Sequence, residues 1–166
     1  MLSQNAKNFI YDTESSSYAC DLKKWLTVME SYENNGHLYH TTLPTDGIMF
    51  FRDNILETKS IGYEKITKLQ VQLGNEMRNL TEHYGYLSVA AEGFKSPTVI
   101  VNHTDDEEIK SGQKFANLGL QIAAGMPLEI GEGDDFMSFR IGLFGLDKLL
   151  NIDRTVENFK RALEKI

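Results

Sequence analysis

The strongest constraint on the fold is the helical period between Ile66 and Tyr84. There Ile66, Leu69, Leu73, Met77, Leu80 and Tyr84 recur in steps of three and four. That spacing lays one apolar stripe along a helix, and a stripe of this length has to be covered by a second layer. Ile48, Phe51 and Ile55 begin the same pattern from about Asp46, and Ile61-Gly62 interrupts it. The stretch reads as two helices or one kinked helix. Pro44 opens it, and Gly85 stands as the residue just past its end.

Beyond Gly85 the period changes. Thr98–His103 is rich in β-branched residues and reads as a strand; Leu87–Ala91, Leu120–Ala124 and Ser138–Leu143 read as three more. Between them, Thr104-Asp105-Asp106-Glu107 has the form of a capping box opening a helix that ends near Leu118-Gly119. The acidic run thereby has a local role, since carboxylates suit a helix N-terminus. Asp153 is expected to cap a last helix with Val156, Phe159, Leu163 and Ile166 on one face. The order β, β, α, β, β, α predicts an α+β fold: a small antiparallel sheet of three to four strands with helices packed on one side. Upstream, Asp21 caps a helix carrying Leu22, Trp25, Met29 and Tyr32, which Asn34-Asn35-Gly36 stops. Leu38–Leu43 is expected to be extended, and residues 1–20 show no clear period.

Composition narrows the function. A chain of 166 residues with 41% hydrophobic and 25% charged residues suits one globular domain. A formal net charge of −7 argues against a nucleic-acid partner, which needs clustered Lys and Arg. The single cysteine, Cys20, cannot form an internal disulfide, which favours a reducing compartment. No apolar run approaches the roughly 20 residues of a membrane helix, and the first residues lack the pattern of a signal peptide. A cytoplasmic protein without membrane contact is the expectation.

Arg140 is the most informative single residue. In a strand over Ser138–Leu143 it alternates away from Phe139, Ile141 and Leu143, and Ser138 and Gly142 beside it leave room above. A guanidinium so placed can receive a planar carboxylate through two parallel hydrogen bonds, although the strand by itself favours an ordinary arginine facing solvent. Tyr39-His40-Thr41-Thr42 places hydroxyls just before a helix, where they can hold a phosphate or serve as capping groups. His37, His40, His83 and His103 have no metal-ligand spacing, so no metal site is expected. The loop Gly131-Glu132-Gly133-Asp134-Asp135 lacks the alternating ligands of a calcium loop.

Taken in order, Tyr18-Ala19-Cys20-Asp21-Leu22-Lys23-Lys24-Trp25, Tyr39-His40-Thr41-Thr42-Leu43-Pro44, Ser96-Pro97-Thr98-Val99 and Ser138-Phe139-Arg140-Ile141-Gly142-Leu143-Phe144-Gly145 resemble the C-terminal part of a known family. The family is the class V, fold-type-I pyridoxal-phosphate-dependent aminotransferases, and the alanine–glyoxylate and serine–pyruvate type in particular. Each motif is short; with the closing helix the ordered set spans roughly residues 18 to 166. The resemblance implies that Arg140 grips the substrate α-carboxylate. It implies too that Tyr39 and Thr42 reach across a homodimer to the cofactor phosphate of the neighbouring subunit. Residues 1–45 would then be the tail end of the large cofactor-binding domain and residues 46–166 the small C-terminal domain.

The resemblance also marks what the chain lacks. Lys7, Lys23 and Lys24 do not lie in the segment that carries the family's cofactor-bearing lysine, which is expected upstream. The expectation is a chain with no catalytic residue of its own, binding no pyridoxal 5′-phosphate alone and inactive alone, from a parent that exchanges an amino group between an amino acid and a 2-oxo acid. The rival expectation is a non-catalytic dimerisation or small-molecule-binding module derived from such a domain.

Overall fold

The computed structural model describes residues 2–166, which fall into two compact units, one up to Arg52 and one from Asp53 to Ile166. In the first, α1 spans Gln4–Tyr11 and α2 spans Leu22–Glu33. The Asp21 carboxylate accepts the Lys24 N–H at 3.0 Å, and Asn35 turns to φ 60 beyond the last turn, so the start and stop of α2 are those its sequence predicts. Helix α1 is not. It is capped by Ser3 but buries only Ile10, so it has no apolar stripe for a period to reveal. The segment from Leu38 to Leu43 is irregular. Helix α3, Thr45–Ile61, contains the division between the units and has no buried residue; Ile48, Met49, Phe50, Phe51 and Leu56 are all exposed.

Gly62, at φ +100, separates α3 from α4, Tyr63–His83, which settles the choice in favour of two helices. Tyr84 ends α4 and Gly85 follows at φ +88, the left-handed turn that glycine tolerates. Then come β1 (Val99–His103), α5 (Glu107–Lys110), α6 (Gln113–Asn117), β2 (Ala123–Ala124), β3 (Ser138–Gly142), α7 (Leu146–Leu149) and α8 (Ile152–Leu163). The sheet is antiparallel throughout in the order β1-β3-β2, with Val101 opposite Arg140 and Ala123 opposite Arg140 on the other side. It is the small α+β domain expected.

Several boundaries differ from expectation for local reasons. The Leu87–Ala91 segment makes one bridge, Ser88 to Asn102, and no strand; Leu120–Ala124 pairs only at its last two residues. The helix expected from Thr104 to Leu118 is two short ones. Asp106, not Thr104, is the cap, accepting the N–H groups of Glu108 and Ile109 at 2.8 and 3.0 Å, and Gly112 at φ +83 breaks the run. Lys114 folds back to pair with the Asp106 carboxylate at 2.5 Å, and this partner holds the carboxyl below its ordinary range. Asn151, not Asp153, precedes α8, and the short turn of α7 has no signal in the sequence pattern.

One face of the sheet carries Ile100, Phe139 and Ile141 into the core, where Leu73 and Met77 of α4 and Phe159 of α8 meet them. The Phe115 ring stacks on Phe159 at 5.3 Å and lies 5.7 Å from Phe139. Along α4, Gln70, Gly74 and Arg78 form a second stripe that fixes the chain entering β1. Gln70 Nε2 donates to the Pro97 carbonyl at 2.9 Å, and Arg78 Nη2 donates to the Ser96 carbonyl at 2.8 Å. Gly74 lies flush on the proline: a Cβ there would sit 2.6 Å from Pro97 Cα and 2.8 Å from its carbonyl oxygen. Gly74→Ala gains about 1 kcal/mol of helix propensity and loses about 1–3 kcal/mol to overpacking against backbone. Because the obstacle is main chain, the loss is expected to win. The variant should melt below wild type, and an unchanged or raised Tm would contradict the packing argument.

Candidate functional site

Arg140 sits at the middle of the central strand, on the face opposite the core. Its neighbours across the ladder, Val101 and Ala123, are short and apolar, so neither can neutralise it or reach over it. The side chain is half-exposed, and its Nε donates to the Ala124 carbonyl at 2.9 Å. No carboxylate pairs with it among the described residues, although seven other Lys–acid or Arg–acid contacts occur within this unit. One edge of the guanidinium is thus anchored, and the terminal nitrogens have no partner among the described residues. That posture suits an incoming carboxylate: the anchor removes rotamer freedom before the ligand arrives.

The surroundings are less open than alternation implies. Ser138 is 2% exposed and its hydroxyl has no partner among the described residues. The chain leaving β2 passes directly over it, and a Cβ on Gly125 would fall 1.8 Å from the Ser138 carbonyl oxygen. Free space lies on the Gly142 side alone, where an added Cβ would meet nothing nearer than the Phe144 ring at 3.7 Å.

The acidic loop beyond Gly125 is organised from within. The Glu132 carboxylate accepts the N–H groups of Leu128, of Glu129 at 2.8 Å and of Ile130 at 2.9 Å. These backbone donors, Ile130 foremost, bring its pKa down to about 2. Glu132 therefore remains an anion engaged by its own loop and offers no proton donor or acceptor of useful strength near neutrality.

Tyr39 and Thr42 belong to the N-terminal unit, and both are exposed with no hydrogen-bond partner for either hydroxyl among the described residues. What holds their segment is His40 between them. His40 Nε2 lies 3.1 Å from the Tyr18 carbonyl, and the Tyr18 hydroxyl donates to the His40 carbonyl at 2.7 Å. The His40 ring lies 4.6 Å from that of Tyr18 and 5.1 Å from that of Trp25, whose indole N–H donates to Ala19 O. The segments containing Tyr18–Trp25 and Tyr39–Pro44 thus form one cluster, a nonlocal contact that no periodicity signals.

Two free hydroxyls can contribute to a phosphate site without completing one. Residues 36 to 45 contain no Lys or Arg to neutralise a phosphate, so its charge would have to be balanced elsewhere. No protein-family model matches this sequence, and no curated protein sequence matches it.

If Arg140 is a ligand-binding residue rather than a structural one, the fold should not depend on it. Arg140→Ala exposes only the Ala124 carbonyl, which water can reach, and is expected to cost less than about 1 kcal/mol. Phe139→Ala, one position along, should cost about 3–5 kcal/mol. Denaturant melts of the two variants measure this, and a comparable loss in both would assign Arg140 to the scaffold.

Proposed function

We propose that this chain is the C-terminal part of a class V, fold-type-I aminotransferase that exchanges an amino group between an amino acid and a 2-oxo acid of the pyruvate or glyoxylate type. The reading is carried by Arg140, a guanidinium anchored through Nε on a central strand with no carboxylate partner among the described residues. The ordered motifs between residues 18 and 145 support it. Pyridoxal phosphate, when bound, supplies the electron sink for the transfer. Arg140 fixes the substrate carboxylate in the plane of its fork, and the Tyr39 and Thr42 hydroxyls donate to the cofactor phosphate of a neighbouring subunit. No residue of this chain bears the cofactor or moves the substrate proton, so the 166 residues by themselves are inactive. A cytoplasmic setting accompanies the proposal, consistent with the lone Cys20 and with the absence, among the described residues, of a helix long and apolar enough to cross a membrane.

A non-catalytic dimerisation module is the competing reading, and one observation favours it: α3 buries none of its residues. Both readings imply a homodimer, so sedimentation equilibrium at high concentration should find self-association, and a strictly monomeric chain would count against both.

The two separate on substrate. In the full-length parent, Arg140→Lys should lower kcat/KM by roughly 10- to 150-fold, because a lysine replaces a bidentate, charge-assisted pair with a point contact worth about 1.5–3 kcal/mol less. The 166-residue chain mixed with pyridoxal phosphate, alanine and glyoxylate should form no pyruvate. Unchanged kcat/KM in the variant, or sustained turnover by the chain, would overturn the assignment.

A further inference from the structure

The turn that stops α2 is built on the one asparagine in the sequence that a glycine follows, Asn35-Gly36. Two backbone bonds close the helix there. Asn35 N–H donates to Tyr32 O at 3.1 Å and Gly36 N–H to Ser31 O at 2.8 Å, with Asn35 in the left-handed region at φ 60. Glycine is the usual occupant of that left-handed position, and asparagine tolerates it. Gly36 has to be bare, because a Cβ there would fall 2.8 Å from Ser31 Oγ and 3.0 Å from Ser31 O. Both residues of the pair are exposed.

The same pair is chemically labile. A backbone nitrogen that follows asparagine can attack the side-chain carbonyl carbon, and glycine, having no Cβ, hinders the attack least. Two features oppose it in this turn. The Gly36 N–H is engaged with Ser31 O. A left-handed residue, with ψ of about +47°, also holds the following nitrogen roughly anti to its own Cβ, the arrangement in which the two are furthest apart. Attack therefore requires the turn to open and Asn35 to leave the left-handed region. Helix ends open at small cost, so the open form is visited.

We infer that Asn35 is a site of spontaneous deamidation gated by the last turn of α2. Closed, the turn is inert; open, it reacts. Gly36 N loses its proton and bonds to Asn35 Cγ, the Cγ–Nδ2 bond breaks, and ammonia leaves with that proton. Water then opens the five-membered ring at either carbonyl, returning a proton to Gly36 N and leaving aspartate or isoaspartate. No oxidant or reductant takes part. Either product sets a carboxylate at the negative end of α2, and isoaspartate adds a methylene to the backbone. The Gly36–Ser31 bond then loses its register, and with it the Tyr32–His37 ring contact, 5.8 Å, that spans the turn. The site is independent of the aminotransferase proposal.

The test follows the full chain at neutral pH, folded and in urea, by peptide mapping that separates asparagine, aspartate and isoaspartate at position 35. In the folded chain Asn35 should convert before every other asparagine. Its rate should be roughly two- to tenfold below that in urea, the weight of one net hydrogen bond. Asn35→Gly keeps the left-handed turn and should remove the first acidic product. The inference is overturned by equal rates in the two conditions, or by an Asn35 still intact in the folded chain when conversion in urea is complete. Earlier reaction at another asparagine, or an acidic product that persists in Asn35→Gly, would overturn it equally.

Discussion

Everything in the C-terminal unit is indexed to the contact between one stripe of α4 and the Ser96-Pro97 turn. Gln70, Gly74 and Arg78 recur every four residues, so they lie one above another on the helix. Gln70 donates to the Pro97 carbonyl, Gly74 lies in bare backbone contact with Pro97, and Arg78 donates to the Ser96 carbonyl. Gln70 Nε2 also lies 3.4 Å from Leu143 O, at the far end of β3. The turn sets where β1 starts, β1 sets the register of β3, and a slip of one residue would exchange the two faces of every strand. Arg140 points away from the core because Pro97 sits against Gly74.

The same helix also carries the domain's polar tension. Among the described residues, Arg78, 6% exposed, finds no acceptor for its Nη1, and Asn102, wholly buried opposite Phe139, uses its amide nitrogen on Thr81 and on Tyr86 O but leaves its oxygen unpaired. Unpaired buried polar atoms cost stability, and the Asn102 oxygen lies on the strand residue that bridges to Ser88. The apolar part of the interface, Leu73 and Met77 against Ile100 and Phe139, has to outweigh them. The arrangement is a scaffold that fixes register firmly along one stripe while leaving the opposite face of the sheet, where Arg140 stands, free of cover on the Gly142 side.

Sequence alone carried the parts governed by local chemistry. The Asp21 cap, the break at Gly62, the turn at Gly85 and the inward alternation of Phe139 and Ile141 depend on few neighbours, and each stands where its residues imply. What escaped depends on distant contacts or on competing local ones. Helix α1 has a single buried residue and hence no period. Thr104, Asp105 and Asp106 each offer a capping oxygen; the N–H groups of Glu108 and Ile109 turn to Asp106, which the distant Lys114 also holds. Ser138 pairs small size with a place beside Arg140, yet the chain from Gly125 covers it. At Tyr39 and Thr42 the residue types suggested hydroxyl chemistry, while the residue organising the segment is His40, through Tyr18 and Trp25.

The central claim is that Arg140 is fixed at one edge and open at the other, and its own nitrogens can report this. In the nitrogen-15 labelled chain, the Nε–H of Arg140 should be protected from exchange by Ala124 O, and adding pyruvate should shift the terminal Nη resonances while leaving Nε in place. An Nε–H exchanging as fast as that of a freely exposed arginine, or Nη signals indifferent to the carboxylate, would contradict it.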